Sequence, residues 1–221
     1  MIPVFIGYDT REPLAFHVCS SSVIRHSKRP VSIIPLALNL LNEYTETHTD
    51  GSNQFTYSRF LVPKLMKYSG HAIYLDGDML VREDISNLFD LRSNEYAVQV
   101  VKHNYTTKKS TKYLRNKNEN YPMKNWSSVM IWNCNHERNK MLTTKYVESS
   151  TGSELHQFKW LDESLIGTLP IEWNWLCDEY GDNYEAKLIH YTLGIPNFDI
   201  VSSNQGEWYK EISMVNYVSK D

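Results

Sequence analysis

Asp76 and Asp78 stand one residue apart in the run His71-Ala72-Ile73-Tyr74-Leu75-Asp76-Gly77-Asp78-Met79-Leu80-Val81-Arg82-Glu83. Two carboxylates so spaced can hold a divalent cation beside a phosphate, because Mg²⁺ and Mn²⁺ take hard oxygen ligands and keep positions open for substrate. Ile73 and Leu75 alternate with Ala72 and Tyr74, which predicts a strand delivering the acids at its end, where open α/β sheets bind ligands. Asp76-Gly77 between apolar residues is equally a hairpin signal of the kind that needs positive φ. A third ligand must come from elsewhere. His190, in Ile189-His190-Tyr191-Thr192-Leu193-Gly194-Ile195-Pro196, again ends an apolar strand, and imidazole beside two carboxylates favours Mn²⁺ over Mg²⁺. A lone histidine is more often a satisfied, partly buried residue. Gly194 after it gives backbone N–H groups room to approach a phosphate.

The elements that must position these groups read as α/β with a mainly parallel sheet. Val4 to Gly7 predicts a first strand, followed by a loop and a helix with Ala15, Val18, Cys19, Ser22 and Val23 on one face. Val31 to Leu36 predicts a second strand, with Pro35 near its end or on an edge. Gln54 to Tyr68 carries apolar residues at helical spacing, with Pro63 expected to kink it or end its first part. Tyr96–Val101, Ser127–Trp132 and Lys187–Tyr191 predict strands; His136–Glu148 and Trp160–Thr168 predict helices. Residues 102–125 form a basic stretch with Lys102, Lys108, Lys109, Lys112, Arg115, Lys117 and Lys124. It reads as a long surface loop, either merely solvated or closing over an anionic ligand.

With 221 residues, 41% hydrophobic and 22% charged, the chain is expected to be one ordinary globular domain. A net charge of −3 gives no general electrostatic reason to expect nucleic acid or an anionic membrane as partner. Three cysteines, Cys19, Cys134 and Cys177, lack metal or disulfide spacing and read as core thiols. No apolar run is long enough to span a bilayer and no leader is evident, so a cytoplasmic protein is expected.

Taken in order, these segments resemble the retaining GT-A-fold glycosyltransferases of family 8, the group of glycogenin and lipopolysaccharide galactosyltransferases. Ile6-Gly7-Tyr8-Asp9 resembles the family's first strand and nucleotide loop. Phe55-Thr56-Tyr57-Ser58-Arg59-Phe60 resembles its helix with a basic donor contact, and Tyr74-Leu75-Asp76-Gly77-Asp78 its Asp-x-Asp motif. Asn125-Trp126-Ser127-Ser128-Val129-Met130, Leu161-Asp162-Glu163, Leu169-Pro170 through Trp173-Asn174 and His190 through Gly194 resemble later family segments. The compact form also resembles virus- or phage-encoded glycosylation modules.

The resemblance implies a single GT-A domain over 1–221, with a nucleotide- and metal-binding half at about 1–101, the basic loop at 102–125 and an acceptor-side half at about 126–221. It implies Mn²⁺, or Mg²⁺, on Asp76, Asp78 and His190. Tyr8, Asp9, Arg59, Asp76, Gly77 and Gly194 would contact a UDP-sugar donor. Glu163 and Asp162 would be catalytic, and a hexose or deoxyhexose would pass with retention to a glycan or glycoprotein hydroxyl. Double displacement and same-face attack both stay open. The sequence departs from the pattern at Ile195-Pro196-Asn197, where the family's phosphate-binding lysine is expected, and at Ser128, where glycine is usual. The alternatives are a sugar-phosphate nucleotidyltransferase, against which the absence of an early Gly-rich basic loop counts, and a catalytically silent nucleotide-sugar-binding module.

Overall fold

The computed structural model describes residues 1–112, 116–196, 202 and 204–215. Its main sheet has six strands in the order β2-β1-β3-β6-β5-β7. These are β1 (Ile2–Gly7), β2 (Val31–Leu36), β3 (His71–Leu75), β5 (Val98–Val100), β6 (Val129–Asn133) and β7 (Ile166–Thr168). All but β6 run in the same direction, and β6 lies antiparallel between β3 and β5. A second sheet of three short strands joins β4 (Met79–Val81), β9 (Leu188–His190) and β8 (Trp175–Leu176) in that spatial order.

Both faces of the main sheet are buried, which explains its near-continuous apolar strands. Phe5, Tyr74, Met130 and Trp132 belong to one core cluster, while Val4, Ile6, Ile73, Leu75, Val129 and Ile131 belong to the other. This is the two-residue alternation of a pleated strand, with apolar residues on each side. Helix α1 (Pro13–His26) connects β1 to β2, starts on Pro13 and buries Ala15, Val18, Cys19, Ser22 and Val23, the face read from the sequence. Pro35 lies in the edge strand β2, where its missing N–H leaves no inner ladder bond unmade. All three cysteines are free and buried.

Three expected helices differ. Residues 54–68 form a 3₁₀ turn (Ser58–Leu61) and the short helix α2 (Val62–Leu65), with Pro63 in the first helical turn. The proline therefore begins a helix instead of kinking one, since N–H groups of the first turn have no intrahelical partner. Residues 136–148 divide into a 3₁₀ turn (Glu137–Met141) and a helix (Thr144–Ser149), because Thr143 caps a new start through its hydroxyl and Tyr146 N–H. Within 160–168 a 3₁₀ turn (Glu163–Leu165) leads into strand β7, drawn out by parallel pairing with β5.

The remaining helices are α3 (Ile85–Phe89), α4 (Thr144–Ser149), α5 (Gly152–His156), α6 (Cys177–Tyr180) and α7 (Gln205–Val215). The basic stretch is tied at its base by Trp126 Nε1–H donating to the His103 carbonyl at 2.9 Å. It doubles back through a Thr111–Lys117 bridge. No helix among the described residues is long and apolar enough to cross a membrane.

Candidate metal and donor site

Asp76-Gly77-Asp78 connects strands of different sheets, β3 and β4. Two backbone bonds fix it: Asp76 N–H donates to the Ser128 carbonyl at 3.0 Å, and Tyr191 N–H donates to the Asp78 carbonyl at 3.0 Å. Met79 pairs directly with His190. The hairpin reading is therefore corrected: β4 turns away to pair with β9, and Gly77 is not among the positive-φ residues. Glycine is required there by close approach, since a Cβ would lie 2.5 Å from the Gly7 carbonyl oxygen at the end of β1.

This pairing brings Asp76, Asp78 and His190 together, with one ligand atom from each within 4.8 Å of the others. All three are buried, so the acids do not lie at an exposed strand end. His190 Nε2 is 3.4 Å from Asp78 Oδ1. His190 Nδ1 is 2.9 Å from Asn174 Oδ1, while Asn174 Nδ2 donates to Ser128 Oγ at 2.8 Å and to the Asn125 carbonyl at 3.3 Å. With its amide so oriented, Asn174 accepts from Nδ1–H and leaves the Nε2 lone pair of a neutral ring for a cation. Ser128, the departure from the family's glycine, is thus part of the support for His190.

The residues fit a divalent ion. Asp78 Oδ1 is buried without a hydrogen-bond partner, as is Thr192 Oγ1 beside it in the same cavity. A buried carboxylate oxygen left unpaired is costly unless something positive completes it. Two carboxylates and an imidazole supply the mixed oxygen and nitrogen set suited to Mn²⁺.

Arg59 is buried and holds Asp76: Nη1 lies 2.8 Å from Asp76 Oδ1 and 3.0 Å from the Ser127 carbonyl it donates to. Its guanidinium also lies over the Phe55 and Tyr74 rings, at 5.5 and 5.3 Å from their centroids. Tyr74 O–H donates to Asp76 Oδ1 at 2.6 Å. Burial is the largest influence on the Asp76 carboxyl and pushes it up; Arg59 pulls it down, Asp78 pushes it up again, and the balance lies above the ordinary value.

The remaining sequence-read residues are placed differently. Asp9 is buried and its carboxylate is occupied by Arg11 Nε and Nη2 and by the Arg11 and Gln54 N–H groups, so it joins the loop after β1 to residues 52–54. Tyr8 packs edge-on against Phe16, centroids 5.5 Å apart. Gly194 has φ 120°, which favours glycine, but its N–H is spent on the Tyr191 carbonyl, so it is not free for a phosphate. Asp162 and Glu163 are exposed on the turn before β7, with Asp162 3.4 Å from Arg138. Neither lines the cavity of the metal cluster.

That cavity is lined by Asp76, Asp78, His190, Arg59, Lys112 and Thr192, among others. It shares Lys112, Tyr121, Asn125, His156 and Thr192 with an adjoining cavity of about 510 Å³, within the range that holds small ligands. From the basic stretch, Lys112 and Tyr121 line the site. Burial lowers the Lys112 ammonium against the pull of Asp78 and Asp76. His156 is the contributor that sequence reasoning missed, while Ser127 and Asn174 stand in family-like segments that by themselves assign them no task. A single histidine or amide carries no periodic or spacing signal, and only the fold brings these to the acids.

Three comparisons bear on this geometry. The chain is 40% identical over 205 residues to Protein CDI of Arabidopsis thaliana, covering 89% of this chain and 79% of that protein. The bifunctional glycosyltransferase WbbM superposes with a TM-score of 0.67 at 14% identity, over 96% of this chain and 49% of WbbM, so this chain spans about half of that protein. The galactosyltransferase LgtC, solved with donor and acceptor sugar analogues, superposes with a TM-score of 0.61 at 11% identity, over 99% of this chain and 98% of LgtC. At these identities the structural likenesses speak for the shared GT-A fold alone. Glycosyl transferase family 8 matches residues 9–195, and the chain therefore belongs to that family of glycosyltransferases.

Proposed function

We propose that the chain transfers a hexose or deoxyhexose from a nucleoside diphosphate sugar, by family resemblance a UDP-sugar, to a hydroxyl of a glycan or glycoprotein with retention of configuration. The observation that carries this reading is the meeting of Asp76, Asp78 and His190 around an unpaired carboxylate oxygen, at the floor of a cavity that opens into a larger one. Mn²⁺ is the preferred ion for that donor set, with Mg²⁺ second. Asp76, Asp78 and His190 would hold such an ion, which would supply charge neutralisation as a diphosphate departs.

The protein's own groups have distinct tasks. Arg59 and Tyr74 fix the Asp76 carboxylate, and Asn174 fixes the His190 ring, so the ligands are arranged before anything binds. Lys112 lines the same cavity as Asp76 and Asp78 and supplies positive charge toward a diphosphate. Lys112, Tyr121 and Asn125 add polar and aromatic lining to this space. In this reading residues 1–101 bind donor and metal, and residues 126–221 contribute His190 and the acceptor wall. LgtC's complex with donor and acceptor sugar analogues supports a two-substrate arrangement of this kind. The test is release of UDP from a panel of UDP-sugars with Mn²⁺, Mg²⁺ or chelator. Metal-dependent release by the intact chain supports the reading; binding without turnover on every donor contradicts it.

A further inference from the structure

Ser127 precedes β6 and touches both sides of the site. Its carbonyl accepts from Arg59, the partner of Asp76, while its hydroxyl lies 2.8 Å from His156 Nδ1. His156 is the last residue of α5, a helix started by a capping box in which Thr151 and Glu154 satisfy each other's backbone N–H groups. Its ring meets Phe60 edge-on, centroids 5.2 Å apart, and leans on Tyr57 at 5.9 Å. The imidazole therefore has a fixed place, tied through Ser127 and Arg59 to Asp76.

That place is the junction of the two cavities, both of which His156 lines. Its Nε2 has no hydrogen-bond partner among the described residues. Burial pushes the ring down to about 3, with Arg59 and Lys112 acting in the same direction, so it is neutral near pH 7. A neutral imidazole with one nitrogen engaged offers a single directed hydrogen bond from the other, suited to a hydroxyl. The cavity beyond it is lined by the exposed ring of Tyr121 and by the side chain of Gln157, an aromatic face and an amide of the kinds that stack on sugar rings and bond their hydroxyls. The acids Asp162 and Glu163 lie outside this space.

We propose that the 510 Å³ cavity receives a saccharide acceptor and that His156 Nε2 hydrogen-bonds its reactive hydroxyl, fixing it beside the metal cluster. This rests on the glycosyl-transfer reading above. The test uses the intact protein with Mn²⁺, the UDP-sugar it turns over fastest, and p-nitrophenyl α- and β-glycosides of glucose, galactose and xylose as acceptors. His156→Gln and His156→Phe should lower kcat/KM for the acceptor by roughly tenfold or more, chiefly through acceptor KM, while donor KM shifts by less than about threefold. The His156 imidazole ¹⁵N resonances should move on adding acceptor to the protein loaded with UDP and Mn²⁺. A change confined to donor KM, or imidazole resonances indifferent to acceptor, overturns the assignment. Donor turnover by the wild type with no transfer to any glycoside also overturns it. If the wild type turns over no UDP-sugar at all, the underlying reading fails instead.

Discussion

The backbone N–H of Tyr191 donates to the carbonyl of Asp78 at 3.0 Å, and this bond sets the distance between His190 and the Asp-x-Asp pair. A slip of β9 by one residue would turn His190 to the opposite face and remove a ligand. Geometry at the site is therefore a property of strand pairing, supported by side chains that touch no substrate.

Asn174 is the clearest of these supports. Asn174→Ala removes the acceptor of His190 Nδ1–H and frees the ring to rotate. Mn²⁺ affinity should weaken by roughly 10- to 100-fold, as for other residues that orient a metal-binding histidine. Calorimetric titration of wild type and variant measures it; equal affinities would show that Asn174 does not set the ligand.

Arg59 is half of a buried ion pair with Asp76. Arg59→Met leaves the carboxylate without its cation, a change that costs about 3–5 kcal/mol in comparable pairs. Urea unfolding should show that loss, and Arg59→Met with Asp76→Asn should recover part of it. A single variant as stable as wild type would contradict a structural pairing.

Acid sensitivity should come from buried histidines. Burial pushes His103 from the ordinary 6.5 down to about 3, so across that interval the unfolded chain binds more protons than the folded one. Its contribution is fully present above about 6.5 and is lost as pH falls toward 3. His103→Gln should flatten stability against pH over that window; a curve parallel to wild type would mean another group dominates.

Glu163 is exposed and outside the metal cavity, so Glu163→Gln should change UDP-sugar turnover by less than about threefold. Near-complete loss with donor binding retained would return the catalytic role to that turn.

Much of this site could be read in the sequence because it is carried by strand ends. The apolar run into Asp76 and Asp78, and the later one into His190, are short continuous apolar runs that end in ligands, and the α1 face is a clean helical stripe. What failed was set by distant partners. Ile166 to Thr168 is a strand because Val98 to Val100 offer it a ladder, and Gly167 is needed there because a Cβ would lie 2.4 Å from the Tyr96 ring. Pro63 could begin or kink a helix equally well from sequence alone. The reversed direction of β6 leaves no mark in an apolar strand buried on both faces. His156 and Asn174 gain meaning only from Ser127 and Ser128, residues that sequence places 29 and 46 positions away respectively.

Metal-dependent UDP release by wild type and Asp78→Asn tests the central claim most directly. Asp78 Oδ1 has no hydrogen bond to lose, so the variant should fold with a melting temperature no lower than that of the metal-free wild type. Its turnover with saturating Mn²⁺ should fall by at least about 100-fold, the scale of losing a transition-state charge stabiliser. Turnover equal to wild type in the folded variant would contradict the assignment of Asp76, Asp78 and His190 as the metal site.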